Sequence, residues 1–155
     1  MRYAVLFFVL ATCPATFAQQ VSPVSENFSN GKAVTQVQVT NNQLTPMSVS
    51  LAWFQFVVKD KQKVTLDTPE PGVEVKLPQS FKIEPRGSRI IDVSASCPQG
   101  CNVEVSCTMG SPSMRVQNGV LLKIRIGSIL YIAAANENGK DQRAKILKAG
   151  GFNLE

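Results

Sequence analysis

From Val120 to Ala134 the chain alternates over a longer stretch than anywhere else. Positions 120, 122, 124, 126, 130 and 132 are apolar and Ser128 is the exception, while the odd positions mix Leu, Lys, Arg, Gly, Ile, Tyr and Ala. Successive side chains of a strand point to opposite faces, so the even set predicts one long apolar face. Most strands have about five or six residues. This run is more than twice that, and one small domain struggles to cover its whole even face. Two readings follow. The strand leaves part of its length open for pairing with another chain, or it bends at Gly127-Ser128 and serves two sheets of its own core.

The rest of the chain repeats the alternation in shorter pieces. Ala33 to Thr40 alternates with Val34, Val37 and Val39 as inward candidates, and it ends at the turn signal Asn41-Asn42. Met47 to Val58 places Val49, Leu51, Trp53 and Gln55 on one parity, with Trp53 as a core anchor. A charged turn at Asp60-Lys61-Gln62-Lys63 precedes a short return strand over Val64-Thr65-Leu66. Asp67 to Pro78 carries three prolines and a glycine and reads as an exposed connection. Strands follow at Phe81–Ile83, Arg89–Ala95 and Val103–Cys107, the last broken by Gly110-Ser111-Pro112. Gln19 to Gly31 is polar and reads as a frayed terminus or a loose first strand through Val21 and Val24, and Gln142 to Ala149 as a helical turn. About seven short strands with regular turns predict an all-β, immunoglobulin-like antiparallel β-sandwich.

Composition narrows the class. The chain has 155 residues, enough for one compact domain and an appendage. Residues 1–18 read as a signal peptide: Arg2, the short apolar run Ala4 to Leu10, and small residues at Thr16 and Ala18 around Phe17. That run is too short to span a bilayer. Leu10-Ala11-Thr12-Cys13 offers the alternative of a lipid anchor at Cys13. Cleavage would remove Arg2 and no acid, so the formal charge falls from +5 to +4. The basic residues are scattered along the chain without a block of like charge or interleaved aromatics, which argues against nucleic-acid binding. A mild positive charge still suits an acidic partner.

Three cysteines remain beyond residue 18. Export permits a disulfide, and the spacing Cys97-Pro98-Gln99-Gly100-Cys101 favours a local bridge across a turn, with Cys97–Cys107 as the next pairing. Three cysteines without any histidine do not make a convincing zinc site. Catalysis lacks its usual parts. There is no histidine base, no Gly-rich phosphate loop, and no elbow context around Ser88 or Ser106. Neither an enzyme nor a cofactor or small-molecule substrate is expected, and a binding role is the default.

Three segments resemble the N-terminal domain of the periplasmic PapD-like chaperones that assemble pili through an outer-membrane usher. They are Lys32-Ala33-Val34-Thr35 through Val39-Thr40-Asn41-Asn42, Pro46 and Ala52-Trp53; Pro78 and Phe81-Lys82-Ile83-Glu84-Pro85-Arg86-Gly87-Ser88; and Val120, Ile124-Arg125-Ile126 and Ile129-Leu130-Tyr131. The resemblance implies that residues 19–135 form an immunoglobulin-like chaperone-type domain and that 136–155 are a C-terminal tail or the remnant of a linker. It implies a periplasmic protein that lends its last strand to an incomplete pilus or fibre subunit. Leu122, Ile124 and Ile126 would then set the register, with Lys123 and Arg125 beside them, and the usher would be a further partner.

The chain departs from that family at several points. The family holds a terminal carboxylate with one basic residue in the first strand and one in the last. Pro23-Val24-Ser25 and Gly127-Ser128 stand near those places here. The residues after Asn136 are too few for the family's second domain, and the Cys97–Cys101 corner is an addition. A rival reading makes the chain a structural or adhesive subunit of a surface assembly, which would itself accept a strand. Such a subunit should carry an alternating N-terminal extension, for which Gln19 to Asn30 is a poor candidate.

Overall fold

The computed structural model describes residues 19–115 and 121–153, with side chains described outside 112–115 and 121–122. The signal-peptide and Cys13 expectations fall outside the described residues. Two sheets pack face to face. In one, the order is β1 (Gln20–Ser22), β3 (Lys32–Thr40), β8 (Ser88–Ser96) and β6 (Glu74–Lys76). In the other it is β2 (Ser25–Phe28), β10 (Leu121–Ile132), β9 (Cys101–Arg115), β4 (Met47–Lys59) and β5 (Gln62–Thr65), with β7 (Phe81–Ile83) also paired to β4. All pairings are antiparallel except that of β2 with β10. The all-β immunoglobulin-like sandwich is the fold expected from the alternation. The three strands beyond the expected seven, β1, β2 and β6, are short ones in segments whose polar residues and prolines mask the period.

The core follows from period two. Ala33, Val37 and Val39 of β3 and Ile91, Val93 and Ala95 of β8 face Met47 and Val49 of β4, Val103, Val105, Cys107 and Met109 of β9, and Leu130 and Ile132 of β10. Trp53 packs partly buried against the same cluster. Val34 is a correction to the inward set. Its parity is opposite to that of Val37 and Val39, so it stands on the outer face, 80% exposed. A second correction concerns Gly110-Ser111-Pro112, which do not end β9. The strand continues to Arg115, opposite Leu121 of β10, and the register shift is taken up between Leu121 and Lys123.

Between the two sheets the chain turns on a few buried polar groups. The Asn41 amide, buried at the end of β3, lies 2.9, 3.2 and 3.1 Å from the carbonyl oxygens of Thr45, Ile83 and Glu84, and its Oδ1 accepts from Gln43 N–H. That fixes the turn read from Asn41-Asn42 and ties β3 to β7, because buried carbonyls need partners. Gln55, at the inner end of β4, exchanges two hydrogen bonds with Glu70 and pins the Pro-rich connection. Cys97 and Cys101 are joined in a disulfide, their Cα atoms 6.1 Å apart, at the corner leading into β9. Cys107 is free and buried in the core.

After β10 the chain crosses the outer side of the larger sheet. Helix α1 (Gln142–Ala149) packs against β2, β4 and β10. Asn27 of β2 donates to Lys140 O and accepts from Arg143 N–H, and Lys61 N–H donates to Gly150 O. A Cβ at Gly150 would lie 2.3 Å from Cγ1 of Val58, so the close approach of this segment to β4 requires glycine.

Candidate functional site: the open edge of the last strand

β10 is sheltered unequally along its length. Leu130, Tyr131 and Ile132 are buried, whereas Ile124 and Ile126 are half-buried and Lys123 and Arg125 exposed. Ile126 packs partly against the core. Ile124 and Ile126 share the inner parity with Leu130 and Ile132 and pair with the fully buried Met109 and Cys107 of β9, so their partial exposure comes from the open edge beside them. Leu122 lies in the same strand, but its side chain is outside the described residues. The bend at Gly127-Ser128 into two sheets is a correction: β10 stays in one sheet with its register to β9 unbroken through these residues. Its C-terminal half is ordinary core, and its N-terminal half is only partly covered.

Which backbone groups are open follows from two hydrogen bonds. Ile129 N–H donates to Val24 O and Ala133 N–H to Phe28 O, each at 2.9 Å. Within a strand a residue's N–H and C=O point to the same edge, and successive residues alternate edges. The odd residues of β10 therefore face the β2 side and the even ones face β9. β2 begins at Ser25, opposite Ile129, and the chain before it leaves toward β1 in the other sheet. Among the described residues no strand lies beside 123–127 on that edge. Lys123, Arg125 and Gly127 thus turn both their N–H and their C=O toward an open edge, a lane that no strand fills among the described residues.

The outer face beside the lane is polar and tightly knit. The Arg125 guanidinium lies 4.4 Å over the Phe54 ring, its Nε donates to Ser106 Oγ at 2.6 Å, and its Nη2 is 3.5 Å from Glu104 Oε1. Glu104 is only 7% exposed and is also paired with Lys63 of β5. Phe54, Ser106 and Glu104 stand on β4 and β9, so Arg125 reaches back across the sheet, away from the lane. Lys123 remains exposed at the lane. Gly127 is the gap that admits Glu104, since a Cβ there would lie 2.6 Å from Oε1 and 2.8 Å from Cγ. At the foot of the lane Ser128 Oγ donates to Pro23 O at 2.6 Å, and Glu26 of β2 accepts from Thr35 Oγ1 at 2.5 Å.

Of the residues picked from the sequence, Ile124 and Ile126 come together on one face and Lys123 and Arg125 on the other. The disulfide corner lies at the far end, where Cys101 pairs with Ile132. Glu104 carries no signal in the sequence, since an acid in Val103-Glu104-Val105 looks like an ordinary solvent-side residue, and Gly127 stands out there only as a bend or anchor position, not as the gap for this carboxylate. Among the described residues no group of three or more potential ligand side chains could hold a metal.

No protein-family model and no curated protein sequence matches the chain. Similar solved structures are PapD-like chaperones of chaperone–usher systems. The Escherichia coli chaperone DraB is 16% identical with a TM-score of 0.57, over 83% of this chain and 60% of its own. The class 5 fimbriae chaperone CfaA is 14% identical with a TM-score of 0.56, over 78% and 58%. A chain of the CsuC–CsuE chaperone–tip adhesion subunit pre-assembly complex of Acinetobacter baumannii is 12% identical with a TM-score of 0.55, over 86% and 66%. The chain therefore shares their fold and spans roughly three fifths of their length, 58–66%.

Proposed function

We propose that this protein is a periplasmic chaperone-like binder that lends residues 122–127 of β10 to an incomplete pilus or fibre subunit, without catalysis. The observation that carries the proposal is the unfilled lane, where Lys123, Arg125 and Gly127 offer backbone donors and acceptors beside the half-buried Ile124 and Ile126. A strand entering it would gain ladder hydrogen bonds whatever its sequence, and the isoleucines would set its register. Chains of similar fold in chaperone–subunit complexes, including the SafA pilin with the SafB chaperone, support the choice of partner. The family's carboxylate anchor has no basic counterpart at Ser128, and β2 carries Glu26. Affinity here would rest on the strand lane itself.

The test is capture of an immunoglobulin-like fibre subunit that lacks its final strand. Ile124→Asp with Ile126→Asp should abolish capture, a loss of at least about a hundredfold for two charges forced against an apolar groove. The fold should persist by circular dichroism, since both side chains are partly solvated already. Undiminished capture by the double variant would refute strand donation.

A further inference from the structure

A subset of the basic residues, scattered in the sequence, gathers in space. Asn27 holds the start of the C-terminal segment at β2 through Lys140 O and Arg143 N–H, and Gly150 O receives Lys61 N–H from the β4–β5 turn. The segment thus crosses the outer side of the larger sheet from edge to edge. Lys140, Arg143, Lys145 and Lys148 line it and Lys61 joins at its end, all exposed. None of the five takes part in an ion pair among the described residues. Helix α1 alone supplies about 12 Å of the ridge, at 1.5 Å per residue over its eight residues. Asp60, Asp141 and Glu137 are the acids along it. Across the same face Lys63 and Arg125 share the single buried carboxylate of Glu104, so that cluster also carries excess positive charge.

We infer that this face is a docking surface for an anionic lipid bilayer. Four of the five ridge cations are lysines, compact charges on flexible stems that suit a diffuse anionic plane better than the planar fork of arginine suits it. No exposed aromatic ring stands among them, so the ridge lacks a stacking platform for nucleic acid. The half-buried apolar residues of α1, Ile146 and Leu147, leave no exposed large apolar side chain on the helix for the core of a protein interface. Lysines within a Debye length of such a membrane are each drawn to it, and their effects accumulate. The ridge lies at the C-terminal end of β10 and the open lane at its N-terminal half. Bilayer contact through the ridge therefore leaves the lane clear. This inference does not depend on what fills the lane.

The test is co-sedimentation of the purified full chain with vesicles of phosphatidylglycerol and phosphatidylcholine, at about one to three, against phosphatidylcholine alone. Binding should favour the anionic vesicles by at least about tenfold and be lost near 0.5 M salt, where the Debye length is only a few ångströms. Replacing Lys61, Lys145 and Lys148 with Gln should remove most of that preference. Replacing Lys32, Lys76 and Arg89 with Gln, which subtracts the same charge from the other sheet, should leave it. Equal losses in the two variants would mean that net charge alone attracts the protein, and the inference fails. It fails also if no lipid-charge preference appears, or if the ridge governs retention on soluble polyglutamate but not on vesicles. Apolar adsorption through residues 4–10 would be recognised by its insensitivity to salt and lipid charge.

Discussion

Gly127 shows how one missing side chain can organise a strand. It sits where the buried carboxylate of Glu104 bends over β10, and that carboxylate holds Arg125 from one side and Lys63 from the other. A buried acid needs such partners, since an unpaired one would be costly to desolvate. Gly127→Ala should therefore destabilise the protein by about 1–3 kcal/mol through overpacking. In a Glu104→Ala background the same change should cost less than about half as much, because the clashing group is gone. Urea denaturation of the four proteins in this cycle measures the coupling, and strict additivity would show that the two residues do not compete for space. Alternation marks positions 127 and 104 as outer-face residues, but it carries no sign of their interlocking.

At the level of the element, β10 is two strands in one. Leu130 and Ile132 are fully buried in the core, while Ile124 and Ile126 sit half-buried at the open edge beside the buried Met109 and Cys107. Leu130→Ala should cost about 2–5 kcal/mol, the usual range for a large core side chain. Ile124→Ala should cost less than about 1 kcal/mol, because little of its surface is exchanged between water and core. Thermal or urea unfolding distinguishes them, and similar costs would mean that the free protein shelters both ends alike. The apolar period of this strand is legible in the letters from 120 to 132. The limit of cover is not, since it depends on where β2 begins. The same dependence explains β9, whose Gly-Ser-Pro looks like a stop but is carried onward by the strand beside it.

For the whole molecule, Cys107 reports on the joint integrity of both sheets. It lies on the inner face of β9 with no exposed surface, and burial pushes its thiol pKa from 9.0 up to about 11. Native protein at about pH 8 should resist alkylation, with a rate that follows global opening, and unfolded protein should react at once. The folded state keeps the proton after the unfolded chain has lost it. The contribution of this thiol to stability is thus full below 9.0 and falls away as the pH rises toward about 11. Fast alkylation of the native state would show local opening around β9. The cationic face belongs to this scale too. Lys61 and Lys148 are far apart in the chain and become neighbours only when α1 crosses the sheet.

The sequence by itself determined the sandwich, turns such as the one after Asn41 and the apolar length of the last strand, because period two and turn chemistry are local properties that every few residues restate. It also favoured the Cys97–Cys101 bridge, where nearness in the chain brings the two thiols together. Only the tertiary structure decided which half of β10 is covered, that Arg125 reaches across the outer face to Glu104, and that dispersed lysines share one face. Those facts depend on which distant segments lie side by side. Alternation says that a residue faces outward, but it cannot say what will stand opposite.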